Sequence, residues 1–225
     1  MPRSTSPGVF KSRILIVDDH PIVRQGLTLL INREKDLAVC GDAEEACTAM
    51  RQIRETKPNL IVVDISLNGP DGIDLLKEIR LRQPNMPVLI LSMLDEQVYA
   101  ERALRAGANG YIMKHEATER VLVAIRRILG GEIYISDRLA NHMLYQRFGG
   151  SGASQSKVDE LTDRELEVFR LIGEGHATRD IAEVLHLSVK TVEGYQAHIK
   201  DKLSLKNARE LMQFAIQRTQ ADKEH

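Results

Sequence analysis

The sequence predicts an α/β fold, a doubly wound five-stranded parallel sheet, followed by a small all-α domain. Three observations predict it. Five short apolar runs alternate with five helical patterns along residues 13–130, the signature of βα repeats. The runs at 14–17 and 60–63 are Ile, Leu and Val throughout, as in strands buried on both faces. Beyond residue 131 the strand pattern stops and only helical periodicity remains.

Residues 1–12 read as a disordered leader. A first strand is expected over 13–17 and a helix over 22–33, then a strand over 37–41 and a helix over 43–56. The third strand, 60–64, ends in Asp64. The loop 67–72, Leu-Asn-Gly-Pro-Asp-Gly, is full of turn residues. A helix over 73–82 follows, then Pro84 and Pro87, and a strand over 88–91. The next helix runs to Ala106 and stops at Gly107, a C-cap residue type. A fifth strand covers 110–113 and a helix covers 117–129, ended by Gly130 and Gly131. Residues 136–148 read as a lone helix. Gly149–Ser156 is a flexible linker by composition, spanning roughly 15 Å as a coil.

In the remainder, Thr162-Asp163-Arg164-Glu165 is a capping box that opens a helix with Leu166, Phe169 and Ile172 inward. Gly173-Glu174-Gly175 closes it. A short helix over 179–185, a tight turn at His186-Leu187, and an N-cap at Ser188 lead into a long helix ending near Leu203. Asn207, with Glu210 three residues on, caps a last helix. The expected division is a leader (1–12), an α/β domain (13–130), a linker helix and flexible linker (131–160), and a helical domain (161–225).

Composition narrows the function classes. The net charge of −1 favours no class of partner by bulk attraction, and 43% apolar residues supply a real core. No apolar run is long enough for a membrane helix, and residues 1–12 lack a signal-peptide core. A cytoplasmic protein with no membrane partner is expected. Cys40 and Cys47 are too few for a disulfide framework, and read as reduced and part-buried.

The chemistry lies at the strand ends. In an open parallel sheet, ligands bind outside the carboxyl ends of the strands. The first strand ends in Asp18 and Asp19 and the third in Asp64. If these strands are neighbours, three carboxylates converge, which demands a cation or a proton. Two acids in the first loop repel a bare phosphate, so a glycine-loop nucleotide site is disfavoured. The same acids suit a hard divalent cation, Mg²⁺ above all, which can bridge to a phosphoryl group on Asp64. Ser92 and Lys114, at two further strand ends, offer a hydroxyl and a point charge for phosphoryl oxygens.

Residues 13–130 therefore resemble the receiver domain of two-component response regulators. The matching motifs are Val17-Asp18-Asp19-His20, Val63-Asp64, Leu91-Ser92 and Tyr111-Ile112-Met113-Lys114. The resemblance implies that Asp64 is the phospho-acceptor, with a sensor histidine kinase as donor. It makes Asp18 and Asp19 the magnesium acids, adds the main-chain carbonyl of Ser66 to the metal, and gives Ser92, Tyr111 and Lys114 to the switch. Many receivers follow the lysine with a cis proline; His115 stands here, so the conformation of that loop does not carry over. Phosphatases of the haloacid dehalogenase type also phosphorylate a strand-end aspartate, but carry an Asp general acid two residues later. Ser66 occupies that position, so leaving-group protonation lacks its residue and a turnover enzyme is not expected.

A short helix, a tight turn and a long helix is helix-turn-helix spacing. Residues 161–216 resemble the DNA-binding domain of NarL/FixJ (LuxR-type) regulators, through Leu161-Thr162-Asp163-Arg164-Glu165, Ile181-Ala182-Glu183-Val184-Leu185 and Ser188-Val189-Lys190-Thr191-Val192-Glu193. On the long helix Val192, Tyr195 or Gln196, Ile199 and Leu203 share an inward face. The resemblance places base contacts at Glu193, Gly194 and Ala197. Small residues let the helix press into the major groove, Ala197 can meet a thymine methyl, and Glu193 can accept from cytosine. Lys190, Thr191, Lys200 and Lys206 are candidate phosphate contacts.

Residues 157–225 hold 11 Lys+Arg against 13 Asp+Glu, whereas 190–209 hold 5 against 2, so the basic patch is local and thin. Modest affinity per monomer makes a homodimer on activation important, with Leu211, Phe214 and Ala215 of the last helix as the expected contact. The function expected is a phosphorylation-activated transcriptional regulator on double-stranded promoter DNA. The alternative is a phospho-switched regulator whose helical domain docks a protein.

Overall fold

The computed structural model describes residues 11–67, 72–93, 96–148, 157–185 and 187–223. Residues 1–10 of the expected leader (1–12), the loop tip 68–71, the linker 149–156 and His186 of the tight turn lie outside them; Ser12, expected in the leader, already belongs to the first strand. The chain divides into two compact units, Met1–Gly150 and Ser151–His225.

In the first unit five parallel strands take the order β2-β1-β3-β4-β5. They are β1 (Ser12–Val17), β2 (Leu37–Ala43), β3 (Leu60–Val63), β4 (Val88–Ser92) and β5 (Gly110–Met113). The helices between and after them are α1 (Pro21–Asn32), α2 (Ala46–Thr56), α3 (Gly72–Arg82), α4 (Glu96–Arg105) and α5 (Ala117–Leu129). Helix α6 (Asp137–Phe148) follows. The three middle strands are sealed on both faces: Ile14–Val17, Leu60–Val63 and all of β4 are buried. That is why they read as continuous apolar runs rather than alternating ones.

Two boundaries differ from expectation for one reason. Strand β2 runs on to Ala43, and α2 starts only at Ala46, because Asp42 and Ala43 still pair with Ile16 and Val17 of β1. The register shifts between Ile14 and Leu15, which face Val39 and Gly41. Cys40 is therefore the extra residue of a bulge. It is half-buried and points its thiol at the carbonyl of Ile14, whereas Cys47, expected to be part-buried, is exposed.

The open edge of β5 is covered by a feature the sequence did not announce. Tyr134 forms an isolated parallel bridge to Gly110, accepting from the Tyr111 amide at 2.9 Å and donating to the Asn109 carbonyl at 2.9 Å. One bridged residue satisfies a main-chain edge that would otherwise invite a second chain. On the far side of the loops, Arg80 of α3 ties three segments together. Its guanidinium donates to the carbonyls of Met86 and Gly107 and to the Asn109 side chain. Gly107 sits at φ +104, and a Cβ there would run into the Arg80 side chain. Its role is thus both C-cap conformation and close approach.

Among its described residues the second unit holds a 3-10 turn (Lys157–Glu160) and four helices: α7 (Asp163–Gly173), α8 (Thr178–Val184), α9 (Val189–Leu203) and α10 (Ala208–Lys223). The capping box on α7 is present in full: Thr162 Oγ1 accepts from the Glu165 amide and Glu165 accepts from the Thr162 amide. Leu166, Phe169 and Ile172 are buried as expected, but so are Val168 and Leu171. Helix α7 is therefore the central post, packed by α9 and α10 rather than by one face alone. Gly173 closes it for a packing reason: a Cβ would strike Ala215 and Thr219 of α10.

Replacing Arg80 by Ala leaves two backbone carbonyls and an amide without their charged donor. At about 1.5–3 kcal/mol for a hydrogen bond to a charged group, a loss of roughly 3 kcal/mol is expected. Arg82→Ala removes only an exposed pair with Glu78, for which about 0–1 kcal/mol is expected. Urea unfolding of the full chain, read on the transition of the first unit, checks the contrast.

Candidate functional site

The strand order makes β1 and β3 neighbours, with Val17 opposite Val63. The next residue of each strand is then Asp18 and Asp64, held in line because the Asp64 amide donates to the Val17 carbonyl at 2.8 Å. Both acids are about 1% exposed. Strand β5 delivers the counter-charge. Lys114 Nζ lies 2.7 Å from Asp64 Oδ2, as a hydrogen bond, and 2.8 Å from Asp18 Oδ2, as an ion pair without hydrogen-bond alignment. Ser66 donates its amide to Asp64 Oδ1 at 3.1 Å. Ser92 ends β4 and Tyr111 lies within β5; both are buried.

The electrostatics follow from that packing. Burial above all pushes the Asp64 carboxyl upward, and Asp18 adds to the shift; Lys114 and the Ser66 amide oppose it only in part. Burial would lower the Lys114 ammonium, but Asp64 and Asp18 overcome it and hold it above its ordinary value. One ammonium is left to serve several acids. Asp18 Oδ2 and Asp19 Oδ1 are buried oxygens that accept no aligned hydrogen bond. Oxygens of Asp18, Asp19 and Asp64, with a ring nitrogen of His20, all lie within 4.8 Å of one another. The carboxylate oxygens of this set fit a hard divalent cation.

Three positions gain significance that sequence reading missed. Arg24 of α1 donates to the main-chain carbonyl of Asp18 at 2.7 Å and to Asp42 Oδ2 at 2.9 Å, bracing the acidic loop from behind. Gly72 opens α3 against the backbone of Asp64 and Ile65: its amide donates to the Ile65 carbonyl, and a Cβ would fall 2.0 Å from the Asp64 carbonyl. Its signal was a glycine at a helix start where a capping residue is usual. His20 follows the acids directly and faces them. The loop after Lys114, left open by His115, is one 3-10 turn (Lys114–Glu116) leading into α5, with no cis peptide among the described residues.

In the second unit α9 is capped by Ser188, whose Oγ accepts from the Thr191 amide at 3.1 Å. Val192, Ile199 and Leu203 are buried, while Tyr195 and Gln196 are half-buried, Gln196 donating to Thr178 of α8. The opposite face shows Lys190, Thr191, Glu193 and Ala197 exposed, Gly194 and Lys200 half-exposed, and Lys206 exposed just beyond. A Cβ on Gly194 would meet nothing within 4 Å, so no neighbour in the fold requires a glycine there. Lys202, on the same helix, is committed to the fold: it pairs with buried Glu165 at 2.6 Å. The expected dimer contact is corrected. Leu211 and Ala215 are buried inside the unit, and Phe214 packs on Phe169 with ring centroids 5.9 Å apart. The exposed side of α10 presents Met212 instead.

Comparison with known proteins follows the same division. The family model described as "Response regulator receiver domain" matches residues 14–126, and "Bacterial regulatory proteins, luxR family" matches 159–215. The chain is 35% identical over 211 residues to the oxygen regulatory protein NreC of Staphylococcus aureus (strain MRSA252), covering 92% of this chain and 97% of that one. Against NreC of Staphylococcus epidermidis it is 34% identical over 217 residues, at the same coverage. Among solved structures, a LuxR-family two-component response regulator from Aurantimonas sp. SI85-9A1 superposes with a TM-score of 0.57 at 38% identity, covering 61% of this chain and 98% of that one. RcsB of Salmonella typhimurium shares the fold, with a TM-score of 0.56 at 24% identity over 91% of this chain and 97% of that one.

The upward shift of Asp64 has a consequence for stability. Its folded value lies above the 3.8 of a free aspartate. Ionised Asp64 therefore weakens the fold at neutral pH, and the penalty disappears as pH falls below the unfolded value. In chelator at neutral pH, Asp64→Asn is expected to raise the thermal midpoint of the first unit. Added Mg²⁺ is expected to raise the midpoint of wild type and to leave the variant nearly unmoved. Calorimetry with and without the cation checks both.

Proposed function

Because the chain belongs to the bacterial two-component response regulators of the LuxR family, DNA-binding transcriptional regulators activated by phosphorylation, we propose that Asp64 is its phospho-acceptor and α9 its recognition helix. What supports the first half is the convergence of Asp18, Asp19, Asp64 and Lys114 at the ends of three strands. A phosphohistidine on a sensor kinase is the donor. An oxygen of Asp64 bonds to phosphorus to form an acyl phosphate as the P–N bond breaks, and the leaving imidazole takes up a proton. Asp18, Asp19 and Asp64, with the Ser66 carbonyl, would hold Mg²⁺, which when bound would supply positive charge to the transferring group. Lys114 shields Asp64 before transfer and stands ready to neutralise a phosphoryl oxygen. Ser92 and Tyr111 read the added charge of about −2. Tyr111 already lies buried beside β4, so the switch works on a packed aromatic rather than an exposed one.

The second half rests on what α9 leaves exposed. Glu193, Gly194 and Ala197 form a narrow, mostly small-residue ridge that suits base edges. The ammonium groups of Lys190, Lys200 and Lys206 pair with no acid among the described residues, which leaves them for phosphates. Thr191 adds a hydroxyl beside the cap. With Lys202 withdrawn to Glu165, the basic face is thinner than the composition of the helix suggests, and two copies on promoter DNA supply the affinity one lacks. The place of action is the cytoplasm. Among the described residues no helix is long and apolar enough to cross a membrane.

Two measurements check this reading. Labelling by a phosphodonor is expected in wild type, to be abolished by Asp64→Asn, and to fall sharply in chelator; equal labelling of wild type and Asp64→Asn rules out the acceptor. On DNA, Lys190→Ala is expected to weaken binding about evenly across sequences and to lower the salt slope by about one, while Glu193→Ala changes base preference at one position of the half-site. Selection from random DNA separates the two patterns.

A further inference from the structure

The segment that leaves the first unit's sheet is tied to two of its elements at once. After α5 the chain returns to the edge of β5, where Tyr134 donates its amide to the Asn109 carbonyl and accepts from the Tyr111 amide, both at 2.9 Å. Gly110 admits it: a Cβ there would fall 2.7 Å from the Tyr134 carbonyl oxygen and 2.9 Å from the Ile128 side chain. A glycine inside a strand weakens it and marks a place where another backbone comes close. Arg127 of α5 lies over the Tyr134 ring, 5.6 Å from its centroid, and pairs with Glu132 at 2.8 Å. The segment is thus clasped from α5 as well.

Two residues on, a second tie reaches α4. Ser136 Oγ accepts from the Leu139 amide at 3.1 Å, at the start of α6, and donates to Glu96 Oε1 at 2.8 Å. One hydroxyl uses its donor and an acceptor lone pair together, and its carboxylate partner is the first residue of α4. Leu139, one turn into α6, is 1% exposed, and α6 packs on α4.

Both ties lie next to the switch residues proposed above. Ser92 ends β4, and Glu96 follows it by four residues at the start of α4. The amide of Tyr111 is itself the donor to Tyr134. We propose that residues 134–139 form a double latch that reads Ser92 through α4 and Tyr111 through β5, so that repacking of the two frees α6. The inference rests on the acceptor and switch reading given under the proposed function. Its physical basis is the narrow tolerance of hydrogen bonds, about half an ångström in length. A short segment keeps both ties only while α4 and β5 hold one mutual position. When that position changes, the single side-chain bond from Ser136 to Glu96 gives way before the paired main-chain bonds of Tyr134. The latch therefore turns a small shift inside the sheet into release of a whole helix, a two-state response.

The test follows amide hydrogen exchange over 133–144 of the full chain, with beryllofluoride and Mg²⁺ as the phosphoryl mimic. Wild type is expected to exchange about tenfold faster there once the mimic is added, the factor that one hydrogen bond to a charged group supports. Ser136→Asp keeps a capping acceptor but sets a second carboxylate against Glu96. It is expected to exchange that fast without the mimic and to gain little from it. Adding Glu96→Gln offers the new carboxylate an amide donor, and is expected to restore both the slow exchange and the response. Loss of a helix cap alone would not be rescued by a change on α4. Labelling of Asp64 by a phosphodonor is expected to match wild type in both variants. If the mimic leaves exchange over 133–144 unchanged, or if the double variant is not rescued, the latch is overturned. Peptides of β4 and β5 separate the causes: their response to the mimic keeps the acceptor reading standing, whereas equal labelling of wild type and Asp64→Asn takes that reading down as well.

Discussion

The adjacency of β1 and β3 is the constraint on which the first unit depends. Parallel pairing in register sets Val17 against Val63, and the chain then has no choice but to bring Asp18 and Asp64 together at the sheet's mouth. Putting two buried carboxylates side by side is unfavourable, and the rest of the site is arranged around that cost. Lys114 reaches both from β5, Ser66 gives an amide to one, and Arg24 holds the loop that carries the other. These groups offset burial and repulsion only in part, and burial above all, with Asp18 adding to it, holds the Asp64 carboxyl above its ordinary range. The site thus keeps negative charge that its own residues do not fully neutralise.

Rigidity around the site comes from close backbone approach as much as from side chains. Gly72 lets α3 start directly on the Asp64–Ile65 backbone, and any Cβ would have to displace the main chain of Asp64 itself. Tyr134 fastens the segment after α5 to β5, one residue from the packed aromatic Tyr111. A change in how Tyr111 packs is therefore felt at once by the main chain that leads out of the sheet. Two-state repacking needs contiguous, well-packed contacts of this sort; at this edge they are main-chain hydrogen bonds.

The second unit divides its charges between structure and surface. Glu165 closes the cap of α7 and receives Lys202, so one acid fixes both the start of one helix and the end of another. Pairing with buried Glu165 commits Lys202 to the fold, and exposed Lys190 and Lys206 with half-exposed Lys200 remain for the surface. Phe214, Leu211 and Ala215 are likewise spent inside the unit, against α7. What is left outside is a thin basic rim around a ridge of small residues, a surface suited to positioning more than to strong binding by one copy.

The sequence by itself determined the fold class, the alternation of strands and helices, and the acids at the strand ends. Those features are local: apolar runs, caps and turn residues act within a few positions, and the capping box at Thr162 and the cap at Asn207 were legible for that reason. The set of residues gathered in the acidic pocket was legible only through strand ends and family motifs. The tertiary structure alone decided which ends are neighbours, because the order β2-β1-β3-β4-β5 is a property of long-range pairing. It also decided that Gly72 and Gly173 serve close packing, that Arg80 and Arg24 grip distant carbonyls, that α10 turns its apolar stripe inward, and that His20 faces the acids. Arg80 and Gly173 depend on partners tens of residues away, while Arg24, Gly72 and His20 depend on how a loop folds back and on the direction of one side chain, and neither is written in a local pattern.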